Sequence, residues 1–236
     1  MIPYCSILYC VSALLSAFCT FKIYYSFKKT EDRYTKYFFK GFAFLTIFLI
    51  LSSVPGGLVF NLIWAEVIYL IVWIPMYLAI FYITKIAVDI WELQKIDRFL
   101  PFFISFLIIS TFVLSILFFS PAEIHMYKSF SFCFEKSPSW LLGLNGAIVA
   151  VILAINAYLF LDKGLKSDKS FIKTRSTLIA SGLLSFTIGV FLNYVLVPNL
   201  PKIRFLIFFA GASAIIGIAL LYSGIQYKKG KEDEEF

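Results

Sequence analysis

The stretch Phe38-Phe-Lys-Gly-Phe-Ala-Phe-Leu-Thr-Ile-Phe-Leu-Ile-Leu-Ser-Ser-Val54-Pro55-Gly56-Gly57-Leu-Val-Phe-Asn61-Leu-Ile-Trp64-Ala-Glu66-Val-Ile-Tyr69-Leu-Ile-Val-Trp-Ile-Pro75-Met-Tyr-Leu-Ala-Ile-Phe-Tyr-Ile-Thr-Lys85-Ile86 decides the fold. A helix rising about 1.5 Å per residue crosses hydrocarbon in about 20 residues. This run is too long for one crossing and long enough for two. Near its middle Val54-Pro55-Gly56-Gly57 combines a φ-restricted residue with two permissive ones, which predicts a tight turn. Two antiparallel spans, 38–56 and 60–86, follow.

Working outward, the same length rule marks 2–26, 100–120, 139–161, 176–197 and 203–226. Peptide groups in hydrocarbon must be satisfied within their own segment, so each apolar run becomes a helix. The reading is an all-α integral membrane domain of seven helices over 1–227, with a charged tail at 228–236. Composition agrees. The chain of 236 residues is 61% hydrophobic and 15% charged, with a mean hydropathy of +0.88. A soluble domain of this size has no interior large enough for that much apolar side chain, so lipid is the solvent. Met1 to Phe27 carries only Lys22 and lacks a basic leader, so it is expected to remain as the first span. The third span is expected to kink at Pro75 and to continue as a helix through Asp89–Lys95, with Trp91 at the interface.

The net charge of +7 is clustered between apolar runs, which speaks for membrane orientation and against nucleic acid. Lys22, Lys28, Lys29, Arg33, Lys36 and Lys40 lie on one side, with the basic residues of 85–98, 163–175 and the tail. Seventeen of the cations fall there and four (Lys128, Lys136, Lys202, Arg204) on the other. The positive-inside bias places the N-terminus outside and the C-terminus in the cytoplasm, in a multi-pass protein of the cell membrane.

Spans five to seven carry small residues at four-residue spacing: Gly143/Ala147, Gly146/Ala150/Ala154, Ser181/Ser185/Gly189 and Ser213/Gly217. Such stripes let backbones approach closely. In the loop 120–139, Ser129-Phe-Ser-Phe-Cys-Phe-Glu135 alternates strictly, which fits a short strand or hairpin over the outer mouth or an irregular loop dipping into the interface.

Ionisable groups at membrane depth are functional candidates. Glu66 is the carboxylate inside a span, and Asn145 and Asn193 fall at a similar depth below the outer boundary. One reading joins Glu66, Asn145 and Asn193 in an outward-facing ligand pocket walled by Trp64, Tyr69, Trp140 and Tyr194. The other has Glu66 complement a helix dipole while the asparagines cross-link helices. Asn156 is read as helix–helix glue, and Lys22 and Lys85 as snorkelling. Cys5 and Cys133 share a side, where a disulfide is topologically allowed; small apolar packing is the alternative. A single histidine, His125, and the lack of a Cys-X-X-Cys pair argue against His-based metal, haem and catalytic-triad chemistry. No cofactor is expected.

Seven spans with an outer N-terminus is the topology of G-protein-coupled receptors and microbial rhodopsins. The last span, Arg204 to Tyr222, has no lysine for a retinal Schiff base. Glu31-Asp32-Arg33-Tyr34 mimics a receptor triplet but lies in the first loop, whereas the inner end of span three reads Val88-Asp89-Ile90-Trp91. In size and topology the chain resembles the seven-span sensor modules of bacterial and archaeal signalling proteins. That resemblance implies a non-enzymatic sensor or accessory subunit, taking a small ligand from outside and engaging a protein partner at its cytoplasmic loops. A small transporter or channel is the alternative, and a lipid-modifying membrane enzyme using Asp89, Glu92 and Asp97 a second.

Overall fold

The computed structural model describes the backbone of residues 4–57, 62–118, 123–127, 130–135, 139–196 and 206–227. Side chains are described over the same stretches except 4–6, 54–57, 62–67, 69–70, 123–135 and 139. The helices are α1 (Tyr4–Thr30), α2 (Arg33–Gly57), α3 (Leu62–Ile90), α4 (Gln94–Leu117), α5 (Ser139–Leu165), α6 (Ser170–Val190) and α7 (Leu206–Gln226). A π-helical segment, Phe191–Leu196, prolongs α6. All seven are long and apolar enough to cross a membrane, so the architecture is that of a multi-pass, seven-helix membrane protein. Between α4 and α5 lies an antiparallel hairpin of β1 (Glu123–Tyr127) and β2 (Phe130–Glu135), bulged between Ile124 and Met126.

Sequence neighbours pack against one another except α4 and α5, which barely touch; α5 packs instead on α3, and α7 packs against α1. Of the spans, α3 is the most enclosed, with 61% of its apolar stretch buried, and α4 the least, with 22%. The core therefore gathers on α3, around Tyr77, Met76 and Ile80. Leu100, Ile104, Leu107 and Thr111 form the one buried stripe of α4, at helical spacing. Its other faces show Phe99, Phe102, Phe106 and Ile109 outward, which suits lipid.

Helices α6 and α7 approach closely. A Cβ added to Gly182 would stand 2.7 Å from the Leu221 nitrogen and 2.9 Å from the Gly217 oxygen. Ser185 donates across the same seam to the Ser213 carbonyl at 2.8 Å. The stripe of small residues is thus a backbone-to-backbone contact, of the kind that holds helices together where lipid offers no hydrophobic drive.

One end of the bundle, called the basic end below, carries the α1–α2, α3–α4 and α5–α6 turns. Asp32 caps α2 there, accepting from the Thr35 amide at 2.7 Å and the Thr35 hydroxyl at 2.8 Å. The Glu-Asp-Arg-Tyr string is accordingly a helix start.

Two expectations are corrected here. The third helix does not run on to Lys95: Glu92 takes a left-handed conformation (φ 55°), Leu93 donates to the Val88 carbonyl at 3.0 Å, and a new helix begins at Gln94. These bonds close the carbonyls at the end of α3 in the manner of a Schellman motif. The tight turn at Val54–Gly57 is not formed either, since α2 stays helical through Gly57. Proline near a helix end removes only one bond from the ladder, and residues 58–61 lie outside the described ones.

Candidate functional site

A set of polar and aromatic side chains forms one connected path across the bundle. Asn145 on α5 is buried, and its Oδ1 accepts from the Tyr77 hydroxyl at 2.8 Å (α3) and the Thr111 hydroxyl at 2.9 Å (α4). Three helices are tied at one atom. From Tyr77 the path continues through Trp73, with ring centroids 6.2 Å apart, to Tyr194, whose ring lies 5.1 Å from Trp73. The Tyr194 and Tyr9 hydroxyls are 2.6 Å apart, and Asn193 Nδ2 donates to the Tyr9 hydroxyl at 2.6 Å.

The local chain explains why these groups meet. Asn193 and Tyr194 sit in the π-helical segment, whose wider turn presents Asn193 to α1 and Tyr194 to α3 and α5. Segments of this kind carry an inserted residue and concentrate at functional sites. Room for Tyr194 comes from Gly146 on α5, where any Cβ would collide with the Tyr194 Cβ. Beside the cluster lies a cavity of about 50 Å³ between α1, α2, α6 and α7, lined by Tyr9, Ser12, Phe48, Asn193, Tyr194 and Ala210 among others. That volume holds ordered water or a very small solute, and the lining offers both donors and acceptors.

Of the residues singled out in the sequence, Asn145, Asn193 and Tyr194 belong to this network. The two asparagines are joined through Tyr77, Trp73, Tyr194 and Tyr9. Trp140 stands apart, half exposed, with its ring edge-on to Phe118 at 5.2 Å. Glu66 and Trp64 lie on α3, but their side chains, like that of Tyr69, fall outside the described ones. Asn145 meets α3 at Tyr77, eleven residues and about 16 Å of helix rise beyond Glu66. The side chains of Cys5, Cys133 and His125 are also outside the described set, while Cys10 and Cys19 are free.

Tyr9, Trp73, Tyr77 and Thr111 were not singled out from the sequence. The available signal was tyrosine well inside an apolar run, since a buried phenol requires a partner. Asn156 links α5 to α3 through the Thr84 hydroxyl at 2.9 Å, the glue role expected of it.

At the basic end Lys85 is ion-paired. It pairs with Asp97 and, at 3.8 Å, with Asp89, which also takes Arg33 at 3.0 Å. Trp91 donates to the Leu159 carbonyl at 3.0 Å beneath the ammonium groups of Lys163 and Lys166. Among the described residues no cluster of His, Cys, Asp and Glu is placed to hold a metal ion.

The sequence matches no protein-family model and no curated protein. What fold and site define together is a class, a polytopic membrane protein of seven apolar helices with a polar and aromatic network threaded through its core.

Proposed function

We propose that the chain is a non-enzymatic, receptor- or sensor-like protein of the cell membrane, with its hairpin end outside and its basic end in the cytoplasm, acting through a protein partner at the basic loops. The observation that carries this reading is the Tyr9–Asn193–Tyr194 cluster at the π-helical segment, beside a small and mainly apolar cavity. Hydroxyls, an amide and aromatic rings bind and orient. Two tyrosine hydroxyls sharing one hydrogen bond can exchange donor and acceptor roles, and a π-helical turn can relax to an α-helical one. A small ligand entering from outside and competing for these bonds would shift α6 against α1, and Trp73 and Tyr77 would pass the shift to α3, α4 and α5.

The test is affinity purification of the tagged chain from its native membrane in mild detergent, wild type beside Asn193→Ala. The expected result is a soluble partner at fixed stoichiometry whose retention changes in the variant. An isolated chain that moves solute across liposomes would select the transporter alternative instead.

A further inference from the structure

A second and much larger cavity opens at the basic end, about 560 Å³, reaching between every helix except α4. Its volume is that of a small-molecule site. The floor is apolar: Phe38, Ile86, Phe160, Ile179 and Ile225 are all buried. The polar groups above it include hydroxyls, two cations and the Asp32 carboxylate. Arg175, half buried on α6, lines the wall, and Lys163 stands exposed at the rim. The Gln226 Nε2 is buried with no hydrogen-bond partner.

A guanidinium withdrawn from water is costly unless an anion meets it. Among the described residues no carboxylate pairs with Arg175. Asp32 lines the same cavity and is the acidic group that acts on Arg175; its Oδ2 is engaged by the Thr35 amide and hydroxyl in the α2 cap, and it makes no ion pair with the guanidinium. With Lys163 beside it the cavity keeps a positive balance. Two cations and one carboxylate thus face an apolar floor, in a cavity with far more room than one water needs.

The geometry points to a binding site for a phosphate-bearing ligand with an apolar tail, the phosphate held by Arg175, Lys163 and the Gln226 amide and the tail laid on Phe38, Phe160 and Ile179. Guanidinium matches phosphate with two parallel hydrogen bonds, and a lysine adds a point charge. Two sources share this chemistry: a phospholipid of the adjoining leaflet, and a soluble organic phosphate from the water side. This inference does not depend on the sensor reading, because it uses neither the Tyr9 cluster nor a partner.

The experiment is native mass spectrometry of the full chain released from nanodiscs of phosphatidylcholine containing phosphatidylglycerol, with glycerol 3-phosphate as the soluble arm. One phosphatidylglycerol per chain is expected to survive release, with retention falling about tenfold in Arg175→Gln, as loss of a charge-assisted pair implies. Arg175→Lys should restore part of it, and Lys173→Gln, an exposed neighbour, should leave it unchanged. Ile179→Trp, which fills the floor and keeps the charge, should expel the lipid but spare glycerol 3-phosphate. Lipid retained alone assigns the ligand to the leaflet, and equal retention of glycerol 3-phosphate assigns it to water. If Arg175→Gln is folded by circular dichroism and retains both probes like the wild type, or if the wild type retains neither, the proposal is overturned.

Discussion

The Tyr77 hydroxyl donates to Asn145 Oδ1 at 2.8 Å, joining the most enclosed helix of the bundle to the helix that follows the hairpin. Thr111 donates to the same oxygen from α4, a helix otherwise held by one narrow stripe. Removing the acceptor leaves two buried hydroxyls with only their longer mutual contact of 3.3 Å. Asn145→Ala is expected to destabilise the bundle by about 1–2 kcal/mol, Tyr77→Phe by about 0.5–1. Melting in detergent checks both, and a double-mutant cycle should return a coupling of about 0.5 kcal/mol or more.

Glycine positions separate by what surrounds them. At Gly182 a Cβ meets backbone atoms of α7 at 2.7 and 2.9 Å, whereas at Gly41 its nearest neighbours are 3.5 Å away. Gly182→Ala should force α6 from α7 and lose about 1–3 kcal/mol. Gly41→Ala should be neutral, or gain up to about 1 kcal/mol from helix propensity. Thermal unfolding of the two variants side by side decides the matter. Equal behaviour would remove the close α6–α7 seam from the account.

Gly146 makes a more local claim. Gly146→Ala places a methyl against Tyr194 and should displace that ring from Trp73 and its hydroxyl from Tyr9. Retained yield with an altered near-ultraviolet circular dichroism signal is the expected outcome, since the aromatic environment changes while the helices persist.

The ion pairs at the basic end should differ in weight. Lys85 is 18% exposed and meets two carboxylates, while Arg33 is 62% exposed. Lys85→Gln leaves Asp97 without its cation and Asp89 with Arg33 alone, at a cost of about 1–2 kcal/mol. Arg33→Gln should change stability little, because an exposed pair is screened by water and salt. Unfolding midpoints at low and high salt distinguish the two.

Much of the fold was legible because hydrocarbon imposes one rule on every segment. Length and polarity were enough to place seven helices. Their ends depend on subtler chemistry: a left-handed glutamate at Glu92 stops α3 in a stretch whose composition reads as helix, and α2 absorbs Pro55 and both following glycines. The site was legible in part, since Asn145 and Asn193 stand out as polar residues at depth. Tyr77 and Tyr9 do not, because a tyrosine in an apolar run also reads as interface or packing. Arg175 reads as one more loop cation until α6 is seen to begin at Ser170, which carries it into the wall of the larger cavity.

Everything proposed about outside and inside depends on an odd number of crossings. The direct measurement places one reporter after Phe236, another before Met1 and a third at Ser129 between the hairpin strands, and scores each from both sides of sealed membranes. The account expects the C-terminal reporter in the cytoplasm and the other two outside. Both termini reporting from one side would contradict it, and with it the orientation on which the sensor reading stands.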